Sequence, residues 1–271
     1  MSREKGRVRG SAALLCLGLA GLAPGARPAA AAYQPGSVEG GGRIAGVVRI
    51  AGDAPILPPF EVGKDAAVCG ARQPSPRLVV GAQGGVANVV VTLEGIASGK
   101  PLAKAVPATI TQRRCQYEPH VLAVPLGTEI EVVNDDPVLH NVHGTDTGSR
   151  TTLFNVAQPL QGQRSPLGPG STAKPGLYEL SCESGHPWMS GYLLVSEQPY
   201  FAVTGKDGSF LLDGVPAGKY RLRFWHEGVR VLRELQALQR LEYEPPYEEV
   251  REVTVPAGGE ARVDWALELR R

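Results

Sequence analysis

Short runs rich in Val, Ile, Leu and Tyr recur along this chain at 43–50, 87–93, 121–124, 128–134, 177–182, 192–195, 200–204, 209–212, 219–225, 251–255 and 261–269, each ended by Gly, Pro, Asn or Asp. Runs that short and so bounded read as strands. Many of them in series build a sandwich or a barrel, so the expectation is an all-β fold. Composition agrees, since 34 Gly and 23 Pro supply turns while 42% hydrophobic residues can fill a core. In 128–134 the alternation turns Ile130 and Val132 inward and Glu129 and Glu131 outward. In 177–182 it groups Tyr178, Leu180 and Cys182 on the inward face. One segment breaks the pattern: Leu232, Leu235, Leu238 and Leu241 recur every third residue, which predicts a helix over 231–241 packed on a sandwich and stopped before Pro245 and Pro246. The Gly, Pro and Ser content of 161–176 predicts an exposed loop.

Residues 1–32 do not belong to the strand pattern. A basic start (Arg3, Lys5, Arg7, Arg9), an apolar run from Ala12 to Leu22 and small residues at Ala29 to Ala32 form a cleavable export signal, with cleavage before Tyr33. Beyond it no stretch approaches the roughly 20 apolar residues of a membrane helix. Without it the chain keeps 23 basic against 26 acidic residues, a net charge of about −3. Binding of nucleic acid through a basic surface is not indicated. The expected location is the periplasm or another exported compartment.

Export places the cysteines in an oxidising compartment, where they pair. The exported chain has three, Cys69, Cys115 and Cys182, so one stays out of intramolecular pairing. Cys69 and Cys115 have no ligand-like neighbours and are expected to form a disulfide. Cys182 heads the run Ser181-Cys182-Glu183-Ser184-Gly185-His186-Pro187-Trp188-Met189, in which a thiolate, an imidazole and a thioether are soft ligands suited to copper. A type 1 copper site takes two histidines and a cysteine in a plane with a long axial methionine, and this turn supplies one histidine. The other is His140, which follows a strand and a turn and precedes Asn141; His143 is the alternative, otherwise a loop histidine. His120 reads as a strand-start residue and His226 as a surface residue. A second metal site from His120, His143, Asp135 or Asp136 is the less favoured option.

Catalysis is not indicated. Five histidines with no His-x-His pair cannot build the additional centres of a multicopper oxidase, and zinc-protease, serine-elbow and phosphate-loop patterns are absent from the sequence.

Further residues carry a resemblance. Cys115-Gln116-Tyr117-Glu118-Pro119-His120-Val121, Asn134-Asp135-Asp136, Leu139-His140-Asn141-Val142-His143, Phe154-Asn155 and the run Cys182 to Met189 resemble the cupredoxin-like proteins of the plastocyanin and methylamine-utilisation type. Pro199 to Thr204, Asp207 to Phe210, Val215 to Tyr220 and Trp225-His226-Glu227 are similar to carboxypeptidase-regulatory-like domains, a transthyretin-like β-sandwich. The resemblance implies a Greek-key cupredoxin sandwich over 103–196, inserted between 43–102 and 197–271 of the regulatory-like sandwich, after a linker at 33–42; a simple tandem also fits the strands. It implies His140, Cys182 and His186 as equatorial ligands and Met189 as the axial one, with three residues between Cys182 and His186 where relatives usually have two.

The function so implied is an exported single-electron carrier with one type 1 copper. Its partner is a redox protein such as a c-type cytochrome, favoured as basic by the chain's charge, or a dehydrogenase or oxidase. Pro187 and Trp188, beside the histidine edge, are the expected docking surface, the alternative for Trp188 being that it packs inward against the sandwich and contributes only stability. The alternative is a non-redox β-sandwich of the cell envelope that binds a ligand, plays a structural role or stores copper.

Overall fold

The computed structural model describes residues 32–235 and 240–270. The expected signal segment, save its last residue, lies outside the described residues. No helix among the described residues is long and apolar enough to cross a membrane.

The fold is all-β. Among the described residues, helix is limited to one α-helical turn, Ala66–Cys69, and two short 3-10 turns, Ala82–Gly84 and Pro169–Thr172. Two sheets are built wholly from 108–196. One runs Arg164–Pro166, Ile130–Asn134, Ala108–Arg113, Gln116–Glu118. The other runs Thr152–Gln158, His140–Asp146, Gly176–Ser181, Ser190–Ser196, Val121–Pro125. Ile110, Ile130, Val132, Val142, Leu180 and Leu193 form the centre of the core between them. The inward alternation is as the sequence predicts: Ile130 and Val132 are buried, as are Tyr178, Leu180 and Cys182.

Two further sheets draw on chain from both sides of that stretch. Val90–Glu94 lies between Phe201–Val203 and Gly218–His226, which pairs in turn with Tyr247–Val255. Gly42–Ile50 pairs with Ser209–Val215 on one side and with Glu260–Arg262 and Trp265–Leu267 on the other. Ile44, Val91, Leu212, Leu222, Phe224 and Trp265 fill the core of this second set. The two sets meet at Val90, Val121, Tyr192 and Trp225, with the Tyr192 and Trp225 rings 4.7 Å apart.

Three expectations are corrected here. The described parts of the 231–241 segment are not helical but a pair of antiparallel strands, Val231–Leu235 and Arg240–Tyr243, with 236–239, Leu238 among them, outside the described residues. Its two ends are held side by side: the amides of Val229 and Arg230 donate to the Glu244 carboxylate at 3.2 and 3.1 Å, and the Glu244 amide donates to the Arg230 carbonyl at 3.0 Å. A chain tied at both ends goes out and back as a ribbon, and Leu232, half-exposed, has no core to face. The 161–176 loop contains the edge strand Arg164–Pro166 and buries Leu167, whose amide bonds the Ile130 carbonyl at 2.8 Å. His226 is fully buried rather than on the surface, its Nδ1 on the Glu227 carbonyl at 2.8 Å.

Candidate metal centre

His140 opens the strand His140–Asp146, and Cys182 directly follows the antiparallel strand Gly176–Ser181, whose Ser181 stands opposite His143. Both residues therefore lie at one end of the sheet. The chain then turns back into Ser190–Ser196, with the Met189 amide on the His186 carbonyl at 2.9 Å and the Cys182 amide on the Met189 carbonyl at 3.3 Å. This tight return carries His186 and Met189 over the end of the core. Gly185 sits at φ +92°, a left-handed conformation that suits glycine, and a Cβ there would lie 2.7 Å from Cδ of Lys64.

One ligand atom from each of His140, Cys182 and His186 lies within 4.8 Å of the others. Nδ1 of His140 is 3.2 Å from Nδ1 of His186, which is 3.6 Å from the Cys182 sulfur. The opposite nitrogens are held by carboxylates: His140 Nε2 by Asp136 at 3.0 Å and His186 Nε2 by Asp65 at 3.1 Å. A carboxylate on Nε2 fixes the proton there and leaves Nδ1 as the donor atom. Both histidines are 0% exposed, Cys182 and Met189 1%. Asn141 secures the turn, its side-chain oxygen accepting from the Glu183 amide at 2.7 Å and the Ser184 hydroxyl at 3.1 Å.

Electrostatics prepares the sulfur. Burial pushes the Cys182 thiol up, but hydrogen bonds from His140 and His186 and from the amides of Asn141 and Ser184 outweigh it and bring it down to about 6. Burial likewise pulls His140 down, and Asp136 with the Cys182 thiolate more than reverses this, raising it to about 9. At neutral pH the pair is thus thiolate and imidazolium. A soft metal ion fits such a donor set, two imidazoles and a thiolate with Met189 buried in the same core cluster as Cys182, and must displace the Nδ1 proton of His140 to use it. Uptake of one metal ion is expected to release about one proton between pH 6 and 9, more below 6 where the thiol is protonated, and fewer above 9. Calorimetry in buffers of different ionisation enthalpy reads this number directly.

Of the other residues singled out by sequence, Cys69 and Cys115 are joined in a disulfide, with their Cα atoms 5.4 Å apart. His143 faces away from the site, with Glu183 on its Nδ1 at 2.7 Å. His120 is 107 positions from its partner Glu227, which it meets at the junction of the two sheet sets. Asp135 pairs with Arg113 at 2.7 Å. The docking assignment of Trp188 is corrected: it is 1% exposed, its indole N–H donates to the Cys115 carbonyl at 3.1 Å, and its ring lies 5.3 Å from that of His186. An indole needs a polar partner when buried, and a backbone carbonyl inside the sandwich satisfies it there. Pro187 remains half-buried. Asp65 is the contributor that sequence reasoning missed. It lies 121 positions from His186 and no local pattern marks it.

No family model matches the chain, and no curated protein is detectably similar to it. Partial likenesses to solved structures exist. A copper-containing nitrite reductase from Thermus scotoductus SA-01 is 26% identical over 37% of this chain, with a TM-score of 0.31, and the chain spans about a quarter of its length (25%). A purple cupredoxin from Nitrosopumilus maritimus is 32% identical, covering 33% of this chain and 99% of its own, at a TM-score of 0.28. An amicyanin from Paracoccus versutus is 20% identical, covering 39% and 97%, at a TM-score of 0.28. No comparison supports the regulatory-like resemblance of the outer strands. With overlaps this partial, the functional reading rests on the geometry of the site.

Proposed function

We propose that this chain is an exported type 1 copper protein that passes single electrons between redox proteins and is not itself an enzyme. The observation that carries the reading is the orientation of the two imidazoles, each with Nε2 on a carboxylate, so that both Nδ1 atoms converge with a buried thiolate. His140, Cys182 and His186 would hold the ion and Met189 would stand beside it; copper supplies one-electron exchange at such a site. The protein's part is to keep donors fixed. Asp136 and Asp65 hold the rings, Asn141 holds the turn, and Trp188 closes the pocket from within, so that water is excluded.

In this reading 103–196 is a copper-bearing sandwich inserted into the other, and 1–32 directs export. With about −3 net charge on the exported chain, a basic c-type cytochrome is a suitable partner, and a dehydrogenase or oxidase can stand on the other side of the exchange. Because Trp188 is inside, docking falls to the surface around Pro187.

The absorption spectrum of the oxidised, copper-loaded protein tests the reading. An intense visible band from sulfur-to-copper charge transfer is expected. A colourless protein that still binds copper tightly would replace this reading with copper storage. Met189→Ala is expected to keep copper and the band while shifting the reduction potential, because an axial thioether bond is long and weak. Voltammetry of the variant measures the shift.

A further inference from the structure

Asp65 has an unusual placement. It precedes the single turn Ala66–Cys69 with a left-handed backbone (φ 57°, ψ 30°), yet its side chain caps none of that turn's amides. Its carboxylate instead reaches His186 Nε2 at 3.1 Å. The segment that carries it, 60–73, is a short strap whose ends pair, Phe60 with Gln73 and Glu61 with Arg72. Two groups pin the strap to the copper-bearing sheets besides Lys64, whose Nζ donates to the Ser184 carbonyl at 2.7 Å. Gln73 donates to the Arg114 carbonyl at 3.1 Å, and Cys69 is bonded to Cys115.

The disulfide joins the supports of both histidines. On one side the Cys69 amide bonds the Asp65 carbonyl at 2.9 Å. On the other, the amides of Arg114 and Cys115 each donate at 2.8 Å to the Asp136 carboxylate that holds His140. One covalent bond thus links the segment bearing the His186 carboxylate to the segment that orients the His140 carboxylate. A sulfur of each of Cys69 and Cys115 also lies within 4.8 Å of a His186 ring nitrogen.

We propose that Asp65 is a positioning residue of the copper site and that the Cys69–Cys115 disulfide is the latch that keeps it on His186. Asp65 fixes the Nε2–H tautomer of His186. Its negative charge, partly exposed at 26% of the side chain and added to those of the buried Asp136 and Cys182, favours the more highly charged oxidation state of the ion. The effect on the ion rests on the copper reading; the effect on the ring does not.

Three variants separate these contributions. In metal-free protein, nitrogen-15 NMR of the His186 ring reads the tautomer. In copper-loaded protein, voltammetry reads the relative affinity for the two oxidation states. Asp65→Asn keeps an acceptor but loses the charge, so the tautomer should stay single while the affinity ratio moves about tenfold toward the lower oxidation state, a rise of about 59 mV for one electron. Asp65→Ala should give mixed tautomers and the same upward shift. The double variant Cys69→Ser with Cys115→Ser should give mixed tautomers although Asp65 is intact. A single Nε2–H tautomer in Asp65→Ala overturns the positioning role, and an unchanged potential in Asp65→Asn overturns the charge effect. A single tautomer in the cysteine double variant, with its circular dichroism unchanged, overturns the latch. If no copper is taken up, the copper reading fails and the ring measurements still decide the rest.

Discussion

Replacing Cys182 by Ala is expected to remove the visible band of the copper-loaded protein completely while the chain stays folded. The band is a property of the sulfur–copper bond, and Cys182 is the one free cysteine among the described residues. Cys69 and Cys115 are bonded to each other and cannot substitute. The fold should survive because the change deletes a single sulfur from a core already organised by Ile110, Val132 and Leu180; an ordinary core substitution costs about 1 kcal/mol. Absorbance and circular dichroism of the variant after copper addition check both halves. A variant that keeps the band would move the thiolate away from Cys182 and sink the assignment; one that loses its sheet signal would leave the colour loss unexplained by ligation alone, and Cys182→Ser, closer in volume, then has to reproduce the loss in a folded chain.

What the sequence disclosed follows from which interactions are local. The strand faces of Tyr178, Leu180 and Cys182 obey a period of two that needs no knowledge of partners, and His186 and Met189 share one turn with the cysteine. His140 could be found because it sits at a strand end with Asn141 beside it, and Asn141 then proves to bond the cysteine turn. The disulfide was legible by elimination among three cysteines. Asp65 was not, because its role depends on a strap brought across 121 positions. The direction of Trp188 was also hidden: period and composition are the same for a docking ring and a buried one, and only the Cys115 carbonyl, available inside, decides it. The leucines of 231–241 misled because their spacing is helical while the tie at Glu244 is tertiary. The strand Ala108–Arg113, with its Thr and Gln, lacks the apolar density that marks the others.

The second large effect lies away from the candidate metal centre, where the two sheet sets join. Arg77 and Glu227 each expose 2% of their side chains and meet at 2.8 Å; Glu227 also holds His120, and Arg77 donates to the Gly228 carbonyl at 2.9 Å. The guanidinium lies 3.3 Å from the centre of the Tyr243 ring and 5.9 Å from that of Tyr192. Removing one member of a buried pair strands the other, so Arg77→Ala is expected to cost about 3–5 kcal/mol. Arg77→Lys should recover little of it, since an ammonium cannot reproduce the planar stack and the forked contacts. The double variant with Glu227→Ala should cost less than the sum of the single changes. The acid dependence gives an independent signature. Burial pushes Glu227 up, but His120 and Arg77 more than compensate and hold it below its ordinary 4.5. A carboxyl so depressed adds stability above its unfolded value that is lost as pH falls through its folded one. Without Arg77 the depression shrinks, so the acid loss of stability should begin at higher pH than in the unmodified protein. Denaturant unfolding from pH 3 to 7 measures both effects, and a variant with unchanged midpoint and unchanged acid limb would show that the junction draws its stability from Val90, Val121, Tyr192 and Trp225 instead.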